Sequence, residues 1–436
     1  MNSIWLMTSA EYAGDTSLFV RIQNVLLREN GGIFILTSLG LIFLLGLLMA
    51  AVCQRIHLPR IIGMLLTGII LGPYVLDLLD VSILNISSEL RQIALIIILL
   101  KAGLSLDLKD LKKVGRSAVM LACVPATCEL LAFVIFAPMI LNISRVDAAV
   151  MGAVLAAVSP AVPRMVHLME SGYGTEKSIP QMILAGASCD DIYVIVLFST
   201  FVGMAQGGQV NALDFVNIPV SILTGVLFGA LVGWLLGQLF ELLYRKGSYV
   251  RNSMKVIIIM GLSFLLMALE TLLKGTVAFS GLLAVVSMAC ALKMRAPKEV
   301  TGRLSEKFGK LWLAAEVVLF VLVGAAVDIR YTMEAGPAAV GMILLALLFR
   351  SAGVALCMLG TDLNKKERTF CVIAYLPKAT VQAAIGSVPL SMGLSCGKIV
   401  LSVAVLAILI TAPLGALGMD ATYRKLLQKN GENNII

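Results

Sequence analysis

The sequence predicts an all-α polytopic membrane protein, and three observations carry that prediction. Of its 436 residues, 59% are apolar and only 14% charged, against roughly half and a quarter in soluble domains. The mean hydropathy is +0.96. The apolar stretches are long and continuous, whereas a transmembrane β-barrel would alternate apolar and polar residues. The same figures exclude an ordinary soluble enzyme, a disordered regulator and a fibrous protein.

The first 32 residues are mixed and polar. They lack a basic segment followed by an apolar stretch and a cleavage site, so they do not read as a signal peptide. Ser17 to Leu27 reads as a short amphipathic surface helix. Apolar runs follow at 33–53, 60–79, 85–105, 115–141, 146–168, 180–205, 214–244, 252–271, 277–293, 309–328, 335–360, 367–392 and 396–420, which predicts about 13 transmembrane helices. An odd number places the termini on opposite sides. Of the 34 Lys and Arg, 24 fall in the loops after the odd-numbered spans and in the tail at 421–436, and only 7 on the other side. Cytoplasmic loops carry the basic excess. The expectation is an external N-terminus and a cytoplasmic C-terminus in the cell (inner) membrane.

The net charge of +8 then reflects basic cytoplasmic loops and not a nucleic-acid partner. The eight cysteines (Cys53, Cys123, Cys128, Cys189, Cys290, Cys357, Cys371 and Cys396) are scattered through apolar runs without a CxxC pair. They read as small buried hydrophobes. His57 and His167 are too few and too far apart in sequence for a metal centre. No GxGxxG opens a helix after a strand, so no nucleotide partner and no cofactor are expected.

A charge at mid-bilayer costs several kcal/mol or more and is a functional hypothesis by default. Five ionisable residues share about one depth: Glu129 in span 4, Asp190 and Asp191 in span 6, Arg350 in span 11 and Lys378 in span 12. Span 5 reads AVSPAVPRM, with Pro160 and Pro163, and span 12 reads YLPKAT, with Pro377. Proline interrupts the helical hydrogen-bond ladder, and buried unwound backbone can then face an ion. Spans 1–6 and 8–13 therefore read as two inverted repeats joined by span 7, each with a broken helix at the midplane, an arrangement typical of secondary transporters.

Glu129 and Arg350 have their plainest reading as a structural ion pair. Adjacent aspartates deep in a span are harder to explain that way. Their side chains point about 100° apart on a helix, so one can face a cavity while the other faces a neighbouring helix. Lys378 reads as functional, against the alternative of snorkelling or capping carbonyls. Glu270 and Lys274 read as a helix pair, and Lys101 and Glu316 as charges within reach of cytoplasmic water. Gly225, Gly229, Gly233 and Gly237 line one face of span 7 and predict close packing against one repeat.

Carboxylates and carbonyls suit small hard cations. A carboxyl group shielded from water keeps its proton more readily than one in solution, so it can exchange that proton for Na⁺ or Li⁺. One group that holds either ion, but not both, couples two fluxes as an antiport.

The segments VLAAVSPAVPRMVHLMESGYGTEKSIPQMILAGASCDDIYVIVLF and AYLPKATVQAAIGSV resemble the cation:proton antiporter superfamily. More closely, they resemble its NHA branch, the sodium/hydrogen exchanger 9B family, in a bacterial-type homologue. The resemblance runs over roughly residues 33–420. It implies a sodium/proton antiporter fold with crossed broken helices, a homodimer embedded in membrane lipids, and elevator-like movement of a six-helix core. By that likeness residues 33–105 and 252–328 form the dimer scaffold, 115–205 and 335–420 the core, and 214–244 the linker. The resemblance implies that Asp191 is the main cation and proton carboxylate, with Asp190 beside it, so these two hold the transported Na⁺ or Li⁺. It implies that Glu129 pairs with Arg350, and that Ser159, Pro160, Pro163, Lys378 and Thr380 support the crossing.

One departure matters. Many electrogenic relatives carry lysine where this chain has Arg350. Arginine does not give up its proton at relevant pH, which favours electroneutral exchange; the aspartate pair, usual in electrogenic members, favours the opposite. The balance tips toward electroneutral exchange. The alternatives are a sodium-coupled symporter of an organic anion on the same architecture and a K⁺/H⁺ antiporter. No enzyme signature, serine–histidine or zinc-binding, stands in the sequence.

Overall fold

The computed structural model describes residues 31–105, 116–159, 162–206, 212–245, 251–273 and 277–429. The segment Ser17 to Leu27, Pro160 and Lys274 lie outside the described residues. The described chain is almost wholly helical. The first part holds α1 (Gly31–Arg55), α2 (Arg60–Leu71), α3 (Val81–Asn85), α4 (Ser87–Ser105), α5 (Arg116–Leu141), α6 (Arg145–Ala156), α7 (Val162–Glu170) and α8 (Ile179–Gln206). The long helix α9 (Ala212–Arg245) follows. The rest holds α10 (Asn252–Leu273), α11 (Gly281–Arg295), α12 (Lys298–Ala325), α13 (Ile329–Cys357), α14 (Lys365–Ala374), α15 (Thr380–Gly386), α16 (Val388–Ser391) and α17 (Gly397–Leu426).

Among the described residues, eight helices are long and apolar enough to cross a membrane. They are α1, α5, α8, α9, α10, α12, α13 and α17. The other apolar runs carry shorter or more polar helices. The run at 60–79 is helical only to Leu71, because the Gly72-Pro73 step ends α2 in a turn. The run expected from 309 begins earlier, at Lys298, where the charged first turns of α12 extend the helix beyond its apolar part.

Both broken spans break where proline stands. α6 starts on a Ser144 cap, whose hydroxyl accepts from the Asp147 amide at 3.0 Å, and ends at Ala156. Ala157 is extended, and Ser159 precedes a proline in the sequence, a position that disfavours helix. α14 starts on a capping box between Asn364 and Glu367. It ends at Ala374, three residues before Pro377, and the chain becomes helical again only at Thr380.

α5 packs along α13 and α6, and α8 along α5 and α6. α17 packs against α13, α14 and α15. Separately, α12 packs along α2 and α4, and α11 along α4 and α9. The two groups meet where α15 touches α4 and α12 and where α8 touches α11. The glycine face of α9 lies on α11 as expected. A methyl group added at Gly229 or Gly233 would collide with the backbone carbonyl oxygen of Ala284 or Met288, so the two backbones touch directly. Outward-facing Leu36, Leu44, Leu47, Ile257, Leu265 and Leu272 coat α1 and α10 with exposed apolar surface, as a lipid-facing helix requires.

Candidate functional site

The two gaps in the broken spans lie against each other. The Ser159 amide donates to the Pro377 carbonyl at 2.9 Å, tying one unwound segment to the other. α6 ends at this crossing with its last carbonyls free of intrahelical partners, the negative end of a helix dipole. Three side chains from the second half of the chain take three consecutive carbonyls. Lys378 Nζ donates to Leu155 O. Arg350 Nη1 donates to Ala156 O at 2.6 Å, and Gln382 Nε2 to Ala157 O at 2.5 Å. The next amide, Val158, donates to Asp190 Oδ2 at 2.7 Å. The end of α6 and the extended residues after it are thus met by two cations, an amide and a carboxylate.

Glu129 joins the same cluster from α5. Its Oε2 accepts from Arg350 Nη1 at 2.6 Å, and its Oε1 lies 2.6 Å from Lys378 Nζ. Arg350 also donates through Nε to Tyr375 O at 2.7 Å, and its Nη2 lies 4.0 Å from Asp190 Oδ2. The Lys378 amide donates to Thr411 Oγ1 on α17 at 3.0 Å. Gln382 closes a local turn as well, its Oε1 accepting from the Ala379 amide at 2.8 Å. Glu129, Asp190, Arg350, Lys378 and Gln382 are each at most 1% exposed.

Asp191 stands apart from this network. It follows Asp190 on α8 but lines a different space, a cavity of about 20 Å³ between α4, α8, α11 and α15. That volume holds about one water-sized occupant. Leu95, Leu99, Ile195, Val286 and Ala384 are among its walls, and Asp191 is its one polar lining residue. Among the described residues no basic side chain pairs with Asp191, and its Oδ1 is buried without a hydrogen-bond partner. The charge balance is therefore simple. Arg350 and Lys378 match Glu129 and Asp190, and Asp191 is the remaining carboxyl group.

The expected residues fall into place unevenly. Glu129, Asp190, Arg350 and Lys378 come together, and Lys378 shares Glu129 with Arg350, a pairing the sequence reading did not contain. Ser159 sits in the first gap and acts through its backbone; Thr380 opens α15. Pro163 lies in the first turn of α7. Gln382 and Thr411 were not singled out, although Gln382, three residues after Ala379, completes the turn that opens α15 and is a polar residue deep in an apolar run. Glu316 departs from its expected reach to water. It is 3% exposed and pairs with Arg60 at 2.5 Å, because α2 and α12 cross closely at Gly68 and Gly324. Glu270 accepts from the Gly281 amide at 3.0 Å, at the start of α11.

Residues 39–422 match the family model described as "Sodium/hydrogen exchanger, transmembrane". The chain is 34% identical over 386 residues to sodium/hydrogen exchanger 9B2 of Mus musculus, covering 86% of this chain and 69% of that protein. It is 32% identical over 397 residues to sodium/hydrogen exchanger 9B1 of Homo sapiens, covering 86% and 73%. The solved structure of the sodium proton antiporter MjNhaP1 from Methanocaldococcus jannaschii at pH 8 superposes with a TM-score of 0.75 at 23% identity, covering 90% of this chain and 99% of that one. That likeness shows the fold.

Proposed function

The chain belongs to the sodium/hydrogen exchanger family, and from that membership we propose that it is a secondary-active Na⁺(Li⁺)/H⁺ antiporter in which cation and proton compete for Asp191, with Asp190 beside it. The observation that carries the reading is the isolation of Asp191. It is the one carboxyl group of the five-residue cluster left over when the two bases are matched, and it faces a cavity while its neighbour faces the broken helix.

The exchange balances without a second group. A protonated Asp191 releases H⁺ as Na⁺ binds its carboxylate, and the reverse occurs on the other side. The site carries the same net charge with either ion, so the exchange is one for one and electroneutral. Arg350 keeps its charge throughout, and Lys378 stays in contact with Glu129. Asp190 holds the Val158 amide, orienting the unwound segment beside the site.

The cavity lies where the α4–α11 group meets the α8–α15 group. We read the first group, with α1, α2, α10 and α12, as a scaffold that forms a homodimer. The second, with α5, α6, α13, α14 and α17, is the moving core. Sliding the core past the apolar α4 and α11 wall exposes Asp191 to either side in turn, with the N-terminus outside and the C-terminus cytoplasmic.

The test uses purified protein in sealed liposomes with an internal pH dye, an imposed pH gradient, and Na⁺, Li⁺ or K⁺ added with and without a valinomycin clamp. The expected result is proton movement driven by Na⁺ or Li⁺ and insensitive to the clamp. Asp191→Asn removes it by at least about 100-fold, while its melting temperature stays within about 2 °C of wild type, because no ion pair is lost. Exchange retained in Asp191→Asn would move the site elsewhere.

A further inference from the structure

A second constellation lies at the opposite end of the half-helix that builds the site. The start of α14 and the end of α17 line an open surface pocket of about 410 Å³, bordered by Asn364, Lys365, Lys366, Lys425, Leu427 and Gln428 among others. Three of the lining side chains are lysines and none is acidic. Lys365, Lys366 and Lys425 are exposed and, among the described residues, make no ion pair, whereas the neighbouring Lys177 is paired with Glu367 at 2.8 Å. The first turn of α14 is already closed by its capping box, so the positive character of the pocket comes from the three ammonium groups.

The walls of the pocket are held firmly. The Gly174 amide donates to Gln428 O at 2.8 Å, and Leu427 is buried. Lys177 also donates to Asp362 O at 3.0 Å, pinning the loop before α14. Both walls lead to the site. α14 is 10 residues long, about 15 Å, and the chain beyond its far end presents Tyr375 O to Arg350, then Lys378. α17 supplies Thr411 to the Lys378 amide and ends beside Lys425.

We propose that this pocket binds a phosphate-bearing anion at the cytoplasmic face, joining the ends of α14 and α17 and thereby changing the exchange rate at the site they support. Three lysines that line one pocket and make no ion pair among the described residues suit a compact, multiply charged group, and basic pockets at this face of membrane proteins recognise such headgroups. The source of the phosphate is either an anionic lipid or a free phosphate compound. The side of the membrane rests on the orientation proposed above; the binding itself does not.

The experiment follows thermal melting of the full-length protein in a neutral detergent against increasing inorganic pyrophosphate or dioctanoyl phosphatidic acid, with dioctanoyl phosphatidylcholine as the control. The comparison protein is the triple variant K365Q/K366Q/K425Q. At about a factor of five per lysine, the triple variant binds on the order of 100-fold more weakly. A saturable rise in melting temperature for wild type with both probes, weakened in the variant, supports the proposal with free phosphate sufficing; a rise with phosphatidic acid alone supports it with a lipid headgroup. No rise with either probe, or an equal rise in the variant, overturns it. The melt does not depend on transport, so failure of the antiport reading leaves this result interpretable. In liposomes, a probe that binds yet leaves the exchange rate of wild type unchanged overturns the coupling.

Discussion

Glu129→Gln tests the cluster at its most constrained point. In wild type the Glu129 carboxylate contacts two cations, Arg350 Nη1 and Lys378 Nζ, each at 2.6 Å. At an effective dielectric of 20, each contact is about 6 kcal/mol of Coulomb attraction. The amide removes both attractions, but it also removes the cost of burying a carboxylate, which is several kcal/mol. What remains is two buried cations facing a single carboxylate, Asp190, 4.0 Å from Arg350. Breaking a buried pair in this way costs about 3–5 kcal/mol. At about 2 °C per kcal/mol, the value for a long chain, the melting temperature falls by about 6–10 °C. The assay is a thermal melt of detergent-purified protein followed by size-exclusion chromatography. The cycle is completed by Lys378→Met alone and combined with Glu129→Gln. Removing the unmatched cation restores part of the loss, so the double variant is more stable than the sum of the singles predicts. A melting temperature of Glu129→Gln within 2 °C of wild type, or strict additivity in the cycle, would refute the shared-carboxylate reasoning.

Three further variants follow from the same contacts. Arg350→Lys keeps the charge but cannot reach Glu129, Ala156 O and Tyr375 O together, so it loses about 2–3 kcal/mol of stability by thermal melt. Gln382→Ala leaves Ala157 O and the Ala379 amide buried without their partner; at about 1–3 kcal/mol for each stranded group, it lowers the melting temperature by several degrees. Gly233→Leu drives a side chain into Met288 O, so it separates α9 from α11 at a cost of about 1–3 kcal/mol or more, seen as a reduced monodisperse fraction.

The spans were legible because each is a local property. About 20 apolar residues in a row announce a helix whatever surrounds them, and α1, α5, α8, α9, α10, α13 and α17 stand where continuous apolar runs predict. The breaks were legible because proline acts on its own backbone: α6 and α14 stop just before the segments that hold Pro160 and Pro377. The glycine face of α9 was legible from a spacing of four. What was harder to read was the surroundings of single residues, although the Glu129–Arg350 pair formed as expected. Glu316 was read as reaching water because a position along a helix does not reveal that Arg60 lies against it, 256 residues away. Gln382 escaped notice because an amide in a span is penalised far less than a charge, so composition does not make it conspicuous.

By itself, the sequence determined that the chain is membrane-embedded and helical, which segments are interrupted, and that five ionisable residues fall near the middles of apolar runs. Each of these follows from the bilayer acting on residues one at a time. Only the tertiary structure set the full network of their contacts. Glu129 meets Arg350 across 221 residues, and Leu155 O and Ala157 O meet Lys378 and Gln382 across 223 and 225. Contacts that distant are set by how helices pack, and packing fixes which buried charge is matched and which is left to face the cavity. Composition and spacing alone do not tell two adjacent aspartates apart, although the family resemblance favours Asp191 as the ion-binding one. The crossing of two broken helices makes Asp190 an acceptor for the Val158 amide and leaves Asp191 without an ion pair among the described residues.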